Sequence, residues 1–128
     1  MKKILWISNH KATDEQLRDM ADQFGSYDLT SLDNPKWGQI DPEFSMSDLE
    51  DYLCEFIPFF KEFDHIIVMG ELSACLTVVA WAIVMEKPVW TPTTKRESKE
   101  VQNPDGTVRK TNVFKHVQFR CLYHPDSD

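Results

Sequence analysis

Two rhythms of apolar and polar residues run along this chain. Lys3 to Ser8 (KILWIS) is a short apolar run closed by polar residues, the pattern of a buried strand, with Asn9 and His10 in the loop behind it. Thr13, Asp14, Glu15 and Gln16 form a capping box, and Leu17, Met20, Ala21 and Phe24 follow at helical spacing until Gly25 stops the helix. Residues 26–32 predict a second strand. The stretch 33–45 carries Pro35, Gly38 and Pro42 and reads as a loop, whose Trp37, Ile40 and Phe44 should pack over something. Leu49, Tyr52, Leu53, Phe56, Ile57, Phe60 and Phe63 repeat at helical intervals and predict an amphipathic helix kinked by Pro58.

His65 to Met69 (HIIVM) predicts a third strand that turns out at Gly70 and Glu71. Leu72 to Met85 is apolar on nearly every face, interrupted only by Ser73 and Thr77. Such a helix asks for cover on both sides. A second subunit is the economical cover, so a homodimer is expected; the alternative is the C-terminal hairpin folding over it. Pro88 to Thr91 (PVWT) predicts a fourth strand. Asn103, Pro104, Asp105 and Gly106 make a turn between β-prone runs at 98–102 and 107–112, and strand structure should continue through VFKHVQFRCLY. The alternation of strands and helices predicts an α/β fold, a mostly parallel Rossmann-like sheet flanked by helices with a C-terminal β-hairpin. One domain spans 1–128: a core at 1–92, a basic hairpin segment at 93–123 and a frayed tail at 124–128.

With 128 residues, 41% of them apolar, the chain has enough material for one real core. The opening MKKILWISNH lacks the apolar length and small-residue cleavage site of a secretory signal, and no apolar run is long enough to span a membrane. Cys54, Cys75 and Cys121 are widely spaced without a C-x-x-C, which suits reduced thiols in a cytoplasmic protein. Charge changes the picture more. Residues 1–90 hold 16 acidic against 7 basic side chains, a net of −9, whereas 91–120 hold 7 basic against 3 acidic, a net of +4. An acidic body repels DNA and long RNA, and a local basic segment within it suits a small anionic ligand.

In open parallel sheets ligands bind beyond the carboxyl ends of the strands, at the switch point. That rule selects Ser8, Asn9 and His10 after strand one, Gly70, Glu71 and Ser73 after strand three, and Thr93, Thr94, Lys95 and Arg96 after strand four. Hydroxyls, helix N-terminal amides and cations are phosphate-binding groups. His116 and Arg120 share a face if their segment is a regular strand. His65 begins its strand, at the wrong end of the sheet, and Cys75 belongs to packing. No G-x-G-x-x-G or G-x-x-x-x-G-K-[ST] is present, so neither a dinucleotide cofactor nor ATP hydrolysis is expected. The four histidines have no metal-ligand spacing, and no metal or cofactor is expected.

ISNHKAT followed by DEQ near the start, GELS after strand three, TTKRE after strand four and VFKHVQFR near the end occur in order over nearly the whole chain. In these segments the chain resembles a family of small standalone CRISPR-associated proteins of type III systems, with a fold like the CRISPR-associated Rossmann fold (CARF). The resemblance implies a ring nuclease that degrades cyclic oligoadenylate messengers, chiefly cyclic tetra-adenylate, and so switches off antiviral signalling. It implies a homodimer matching the near-fourfold ring. It also implies metal-independent attack of a ribose 2′-hydroxyl on the neighbouring phosphorus, leaving a 2′,3′-cyclic phosphate. Lys95 and Arg96 would then stabilise charge and His10 would assist proton transfer, with His116 second. Ser8, Asn9, Gly70, Glu71, Ser73, Thr93, Thr94, His116 and Arg120 would bind the ligand. A non-catalytic sponge or sensor of the same ring, and an unrelated nucleotide- or flavin-binding protein, are the alternatives.

Overall fold

The computed structural model describes residues 1–32 and 34–126; Asp33 of the loop and the last two residues of the predicted tail lie outside the described residues. Its elements are β1 (Lys2–Ile7), α1 (Asp14–Phe24), β2 (Tyr27–Ser31), α2 (Met46–Leu53), β3 (His65–Val68), α3 (Leu72–Val84), β4 (Val89–Gln102) and β5 (Val108–Tyr123), with 3-10 turns at Pro35–Gly38 and Cys54–Glu62. The strands form one mixed sheet in the order β2-β1-β3-β4-β5. β2, β1, β3 and the start of β4 run parallel, and β5 returns antiparallel along β4. The fold is therefore α/β, mostly parallel, with a C-terminal hairpin. No helix among the described residues is long and apolar enough to cross a membrane.

Apolar runs become central strands because both sheet faces are covered. Ile4, Trp6 and Ile67 turn to one face and pack with Met20 of α1 and Phe119 of β5. Leu5, Ile7, Ile66 and Val68 turn to the other, under Leu53, Phe56 and Phe60 and under Ala74, Val78 and Ala82 of α3. Thr13 caps α1 through the capping box read from the sequence, its side chain accepting from the Gln16 amide.

Three expectations need correction. The amphipathic segment before β3 is not one kinked α-helix: α2 stops at Leu53 and a 3-10 stretch follows. Pro58 has no N–H for the i−4 carbonyl of Cys54 and disfavours the α conformation in Ile57. The tighter turn still buries Phe56 and Phe60. The fourth strand does not end at Thr91; it continues unbroken to Gln102, because β5 offers a ladder partner all along it. Finally, α3 buries Ala74, Thr77, Val78 and Ala82 but leaves Leu72, Leu76, Ile83 and Val84 exposed, so the hairpin does not cover it within one chain.

The turn at 103–106 forms as read: the Asn103 amide donates to the Thr107 carbonyl at 2.7 Å, and Gly106 takes φ +87°. That φ is open to glycine without strain.

Candidate functional site

β2 and β3 flank β1 on opposite sides, so the sheet has its switch point where β1 and β3 end. The β1 end is a fixed loop. The Trp6 indole Nε1 donates to the His10 carbonyl at 2.7 Å, and the His10 amide donates to Ser8 Oγ at 3.1 Å. The crevice itself is covered by the 3-10 turn at Pro35–Gly38. Trp37 is buried there and its Nε1 donates to the Met69 carbonyl at 3.0 Å. A Cβ on Gly70 would stand 2.7 Å from Trp37 Nε1, and a Cβ on Gly38 would stand 2.7 Å from Asn9 Oδ1. At Gly70 the buried indole lies directly against the backbone and leaves no room for a side chain, whereas at Gly38 the neighbour is the end of the exposed Asn9 side chain, which can swing aside. Asn9 and Gly70 thus touch this turn, and both remain exposed at its edge.

Glu71 occupies the N-terminus of α3. Its carboxylate accepts from the amides of Ser73 at 2.8 Å and Ala74 at 3.1 Å. The Ser73 amide, then that of Ala74, holds the carboxyl below its usual range against the opposing effect of burial. The amides that could receive a phosphate are engaged by the chain's own anion. Glu71 and Ser73 open instead on a cleft of about 440 Å³ with Ile40, Asp41 and Ser45.

Residue alternation sorts the β4–β5 ribbon into two faces. Thr91 stands opposite Arg120 and Pro92 opposite Phe119. Thr91 borders the apolar groove along α3, whereas Phe119 packs in the α1-side core. Between Thr93 and Thr94 the register slips: Thr93 pairs with Gln118 and Thr94 with His116, leaving Val117 as the extra residue of a β-bulge. The bulge breaks the strict alternation from which His116 and Arg120 were expected to share a face. His116 turns to the α1 side with Phe119, their rings 4.7 Å apart, and Arg120 lies on the α3 side. Lys95 and Arg96 likewise project to opposite faces, being neighbours in one strand. Lys95 stands opposite Lys115, which reaches Glu97 at 3.5 Å. Arg96 stands opposite Phe114 on the α1 side. Thr93 Oγ1 donates to the Gln118 carbonyl at 3.0 Å, within the ladder.

A cleft of about 190 Å³ gathers what remains. Its walls include His10 and Lys11 of the β1 loop, Thr13 and Gln16 of α1, Met69 at the end of β3, and Thr94, Phe114 and His116 of the ribbon. His10 and Lys11 also border an adjoining cleft of about 410 Å³ that reaches Ser8, Asn9 and Ser31. The His116 side chain is buried in this wall, 5% exposed, and Nε2 lies 2.7 Å from Asp19 Oδ2. Its amide donates to Glu15 Oε2 at 3.3 Å, so two carboxylates one turn apart on α1 hold one ribbon residue.

A family model matches residues 2–120, and its description is the uncharacterized protein MJ1673 family. The chain belongs to that family. The chain is also similar to the uncharacterized protein MJ1673 of Methanocaldococcus jannaschii, with 29% identity over 135 residues, covering 98% of this chain and 99% of the relative. No solved structure matches. The family match covers β1 through most of β5, so it includes every residue of the smaller cleft.

Asp19 was not singled out in the sequence. It lies 97 residues from His116, and nothing in either segment marks the pairing. Trp37 carried a signal, an indole in a loop punctuated by Pro and Gly, though not its destination. His65 sits at the far end of β3, half-buried between Phe24 and Trp90, and its Nδ1 accepts from Trp90 Nε1 at 3.2 Å. Burial lowers its pKa. Cys75 is half-buried beside Glu71, and burial raises its thiol pKa. Among the described residues, no three His, Cys, Asp or Glu side chains are grouped to hold a metal ion.

Proposed function

We propose that the protein is a ring nuclease with a CARF-like Rossmann fold, which binds cyclic tetra-adenylate and cuts it by 2′-hydroxyl attack. One observation carries this reading: three segments of the sequence resemblance, ISNHKAT, TTKRE and VFKHVQFR, meet in one cleft through His10, Thr94 and His116. GELS adjoins it through Met69, the residue before Gly70. Segments distant in sequence, each rich in groups that bind phosphate or move protons, converge beside the switch point of a parallel sheet.

In the reaction the 2′-oxygen bonds to the adjacent phosphorus and the 5′-oxygen leaves, giving linear oligoadenylate that ends in a 2′,3′-cyclic phosphate. Lys11 lines this cleft and Arg96 stands opposite Phe114 of its wall, and both stabilise the added charge on phosphorus. His10, exposed at the mouth, assists proton transfer. Thr94 orients the ligand. Lys95 and Arg120 face the other way and contribute to the general field or to a second copy.

The uncovered apolar face of α3, where Leu72 is 72% and Val84 82% exposed, favours a twofold dimer in which each copy serves half a ring. A monomer in sedimentation at micromolar concentration would remove that element.

The decisive experiment incubates the purified protein with labelled cyclic tetra-adenylate in EDTA. Linear di-adenylate with a cyclic phosphate end is the expected product. Intact ring in a stable complex supports the sponge or sensor, and absence of both binding and cutting rejects the reading.

A further inference from the structure

His116 of the smaller cleft's wall belongs to a hydrogen-bonded carboxylate–imidazole pair with one loose end. Asp19 Oδ2 and His116 Nε2 are 2.7 Å apart, with the two side chains 29% and 5% exposed. An ionised carboxylate accepts hydrogen bonds and donates none, so Nε2 carries the proton of the neutral ring. Nδ1 is then a bare lone pair. It is buried and has no hydrogen-bond partner, alone in this among the buried side-chain nitrogens and oxygens of the described residues. Buried polar atoms without a partner are uncommon and costly.

The surroundings show why the chain keeps the ring in place. The bulge at Val117 turns His116 to the α1 side, where regular alternation would have sent it to the opposite face. Phe119 packs against the ring from below in the core, and Glu15 fixes the backbone by accepting from the His116 amide. Tautomer, ring position and backbone are all set from the α1 and core side. Of the other residues of the cleft wall, Trp6 and Gln16 are buried, whereas His10, Lys11, Thr94 and Phe114 are exposed. Exposed side chains reorient within nanoseconds, so a ligand can reach the ring without moving the core.

We infer that Asp19 and His116 form a base and its orienting partner: Asp19 holds the Nε2–H tautomer, and His116 Nδ1 takes a proton from a hydroxyl delivered into the cleft. Resting on the proposed ring cleavage, that hydroxyl is the ribose 2′-OH. Its proton passes to Nδ1 as the O2′–P bond forms. The P–O5′ bond breaks, and the 5′-oxygen takes a proton from His10 or water. No water is consumed, and the imidazolium returns its proton to solvent before the next cut. His116 is then the catalytic residue and Asp19 a positioning residue, the logic of any nucleophile activated by an oriented base.

Two measurements test this, one free of the substrate. In 15N-histidine spectra of the wild-type protein, His116 is expected as the Nε2–H tautomer, and Asp19→Asn is expected to lose that preference. A wild-type Nδ1–H tautomer, or spectra unmoved by Asp19→Asn, overturns the dyad. In single-turnover assays with cyclic tetra-adenylate, His116→Gln and Asp19→Asn should each lower the cleavage rate about 100-fold, the lower end for a lost general base. Ring affinity should stay within about threefold. Asp19→Asn keeps the shape of the side chain, so its fold is checked by an unchanged circular dichroism melt. Full rate in His116→Gln overturns the dyad and leaves the ring nuclease standing. A wild-type protein that neither binds nor cuts the ring overturns that function, and the tautomer measurement alone then decides the pair. Binding without cutting overturns both.

Discussion

The parallel core and the β4–β5 ribbon are built on opposite terms. The core strands β1 and β3 are covered on both faces, and Ile4, Ile7, Ile66 and Val68 are fully buried. The ribbon runs on past the last residue that β3 pairs, Ile67 with Trp90, and from there β4 has β5 as its sheet neighbour. Of its large apolar residues Val108, Phe114 and Val117 remain exposed. The core lies within the acidic part of the chain and the ribbon in the basic part. Hydrophobic burial holds the first; ladder hydrogen bonds and a few anchors, Phe119 and the His116–Asp19 contact, hold the second to α1. A two-stranded ribbon is marginal by itself, so those anchors decide its angle to the core. The candidate cleft lies where the two regimes meet, with rigid β1 and α1 on one side and the ribbon on the other.

The largest way to break this contrast is to truncate an aromatic in each region. Phe60→Ala, at 0% exposure, should cost about 3–5 kcal/mol of unfolding free energy. Phe114→Ala, at 65% exposure, should cost less than about 0.5 kcal/mol. Urea denaturation of both variants measures this. A large loss at Phe114 would mean that the ribbon is covered in solution, by a second copy or by a partner, and the contrast would fall.

The next test concerns two adjacent ribbon cations. Arg96 lies on the α1 side, opposite Phe114 of the cleft wall, and Lys95 on the opposite side. If the ring occupies the cleft, Arg96→Ala should weaken cyclic tetra-adenylate binding about tenfold, some 1.4 kcal/mol. Lys95→Ala should change it less than about twofold. Fluorescence anisotropy titrations of both variants would give the ratio. Equal losses, or the reverse order, would put the ligand on the α3 side or across both faces.

The same contrast explains what could be read beforehand. β1, β3 and α1 were legible because burial on fixed faces writes apolar runs and helical spacing into the sequence. The capping box at Thr13 and the turn at Gly106 were legible because special backbone geometry demands particular residues. The ribbon was not, beyond its turn and general β character. Beyond Pro92, TPTTKRESKEVQ has no buried residue to impose a period, so its length is set by the partner strand. The bulge at Val117 leaves no local mark, yet it decides which side His116 occupies, and with it the pairing to Asp19. Family resemblance pointed to the segments of the candidate cleft. It could not sort them by face: Lys95 was paired with Arg96, and Arg120 with His116, although the members of each pair lie on opposite faces.

The smallest expected effect is at the α3 N-terminus, and it tests whether Glu71 is a cap or a ligand contact. Its folded-state pKa is depressed, first by the Ser73 amide. A depressed acid stabilises the fold above its unfolded value and loses that contribution as pH falls through the folded value. The ordinary value is 4.5, so the contribution is complete at neutral pH and fades on acidification below that point. Because the carboxylate is exposed, solvent screening keeps it under about 1 kcal/mol. Glu71→Gln should therefore lower stability slightly at pH 7 and flatten its decline below pH 4.5, relative to wild type. Ring binding should be unaffected, since the two amides under Glu71 are already engaged. A binding loss in Glu71→Gln with an unchanged pH–stability curve would instead make the carboxylate part of the ligand site, and would move the ring from the His116 cleft toward the one bordered by Ser73.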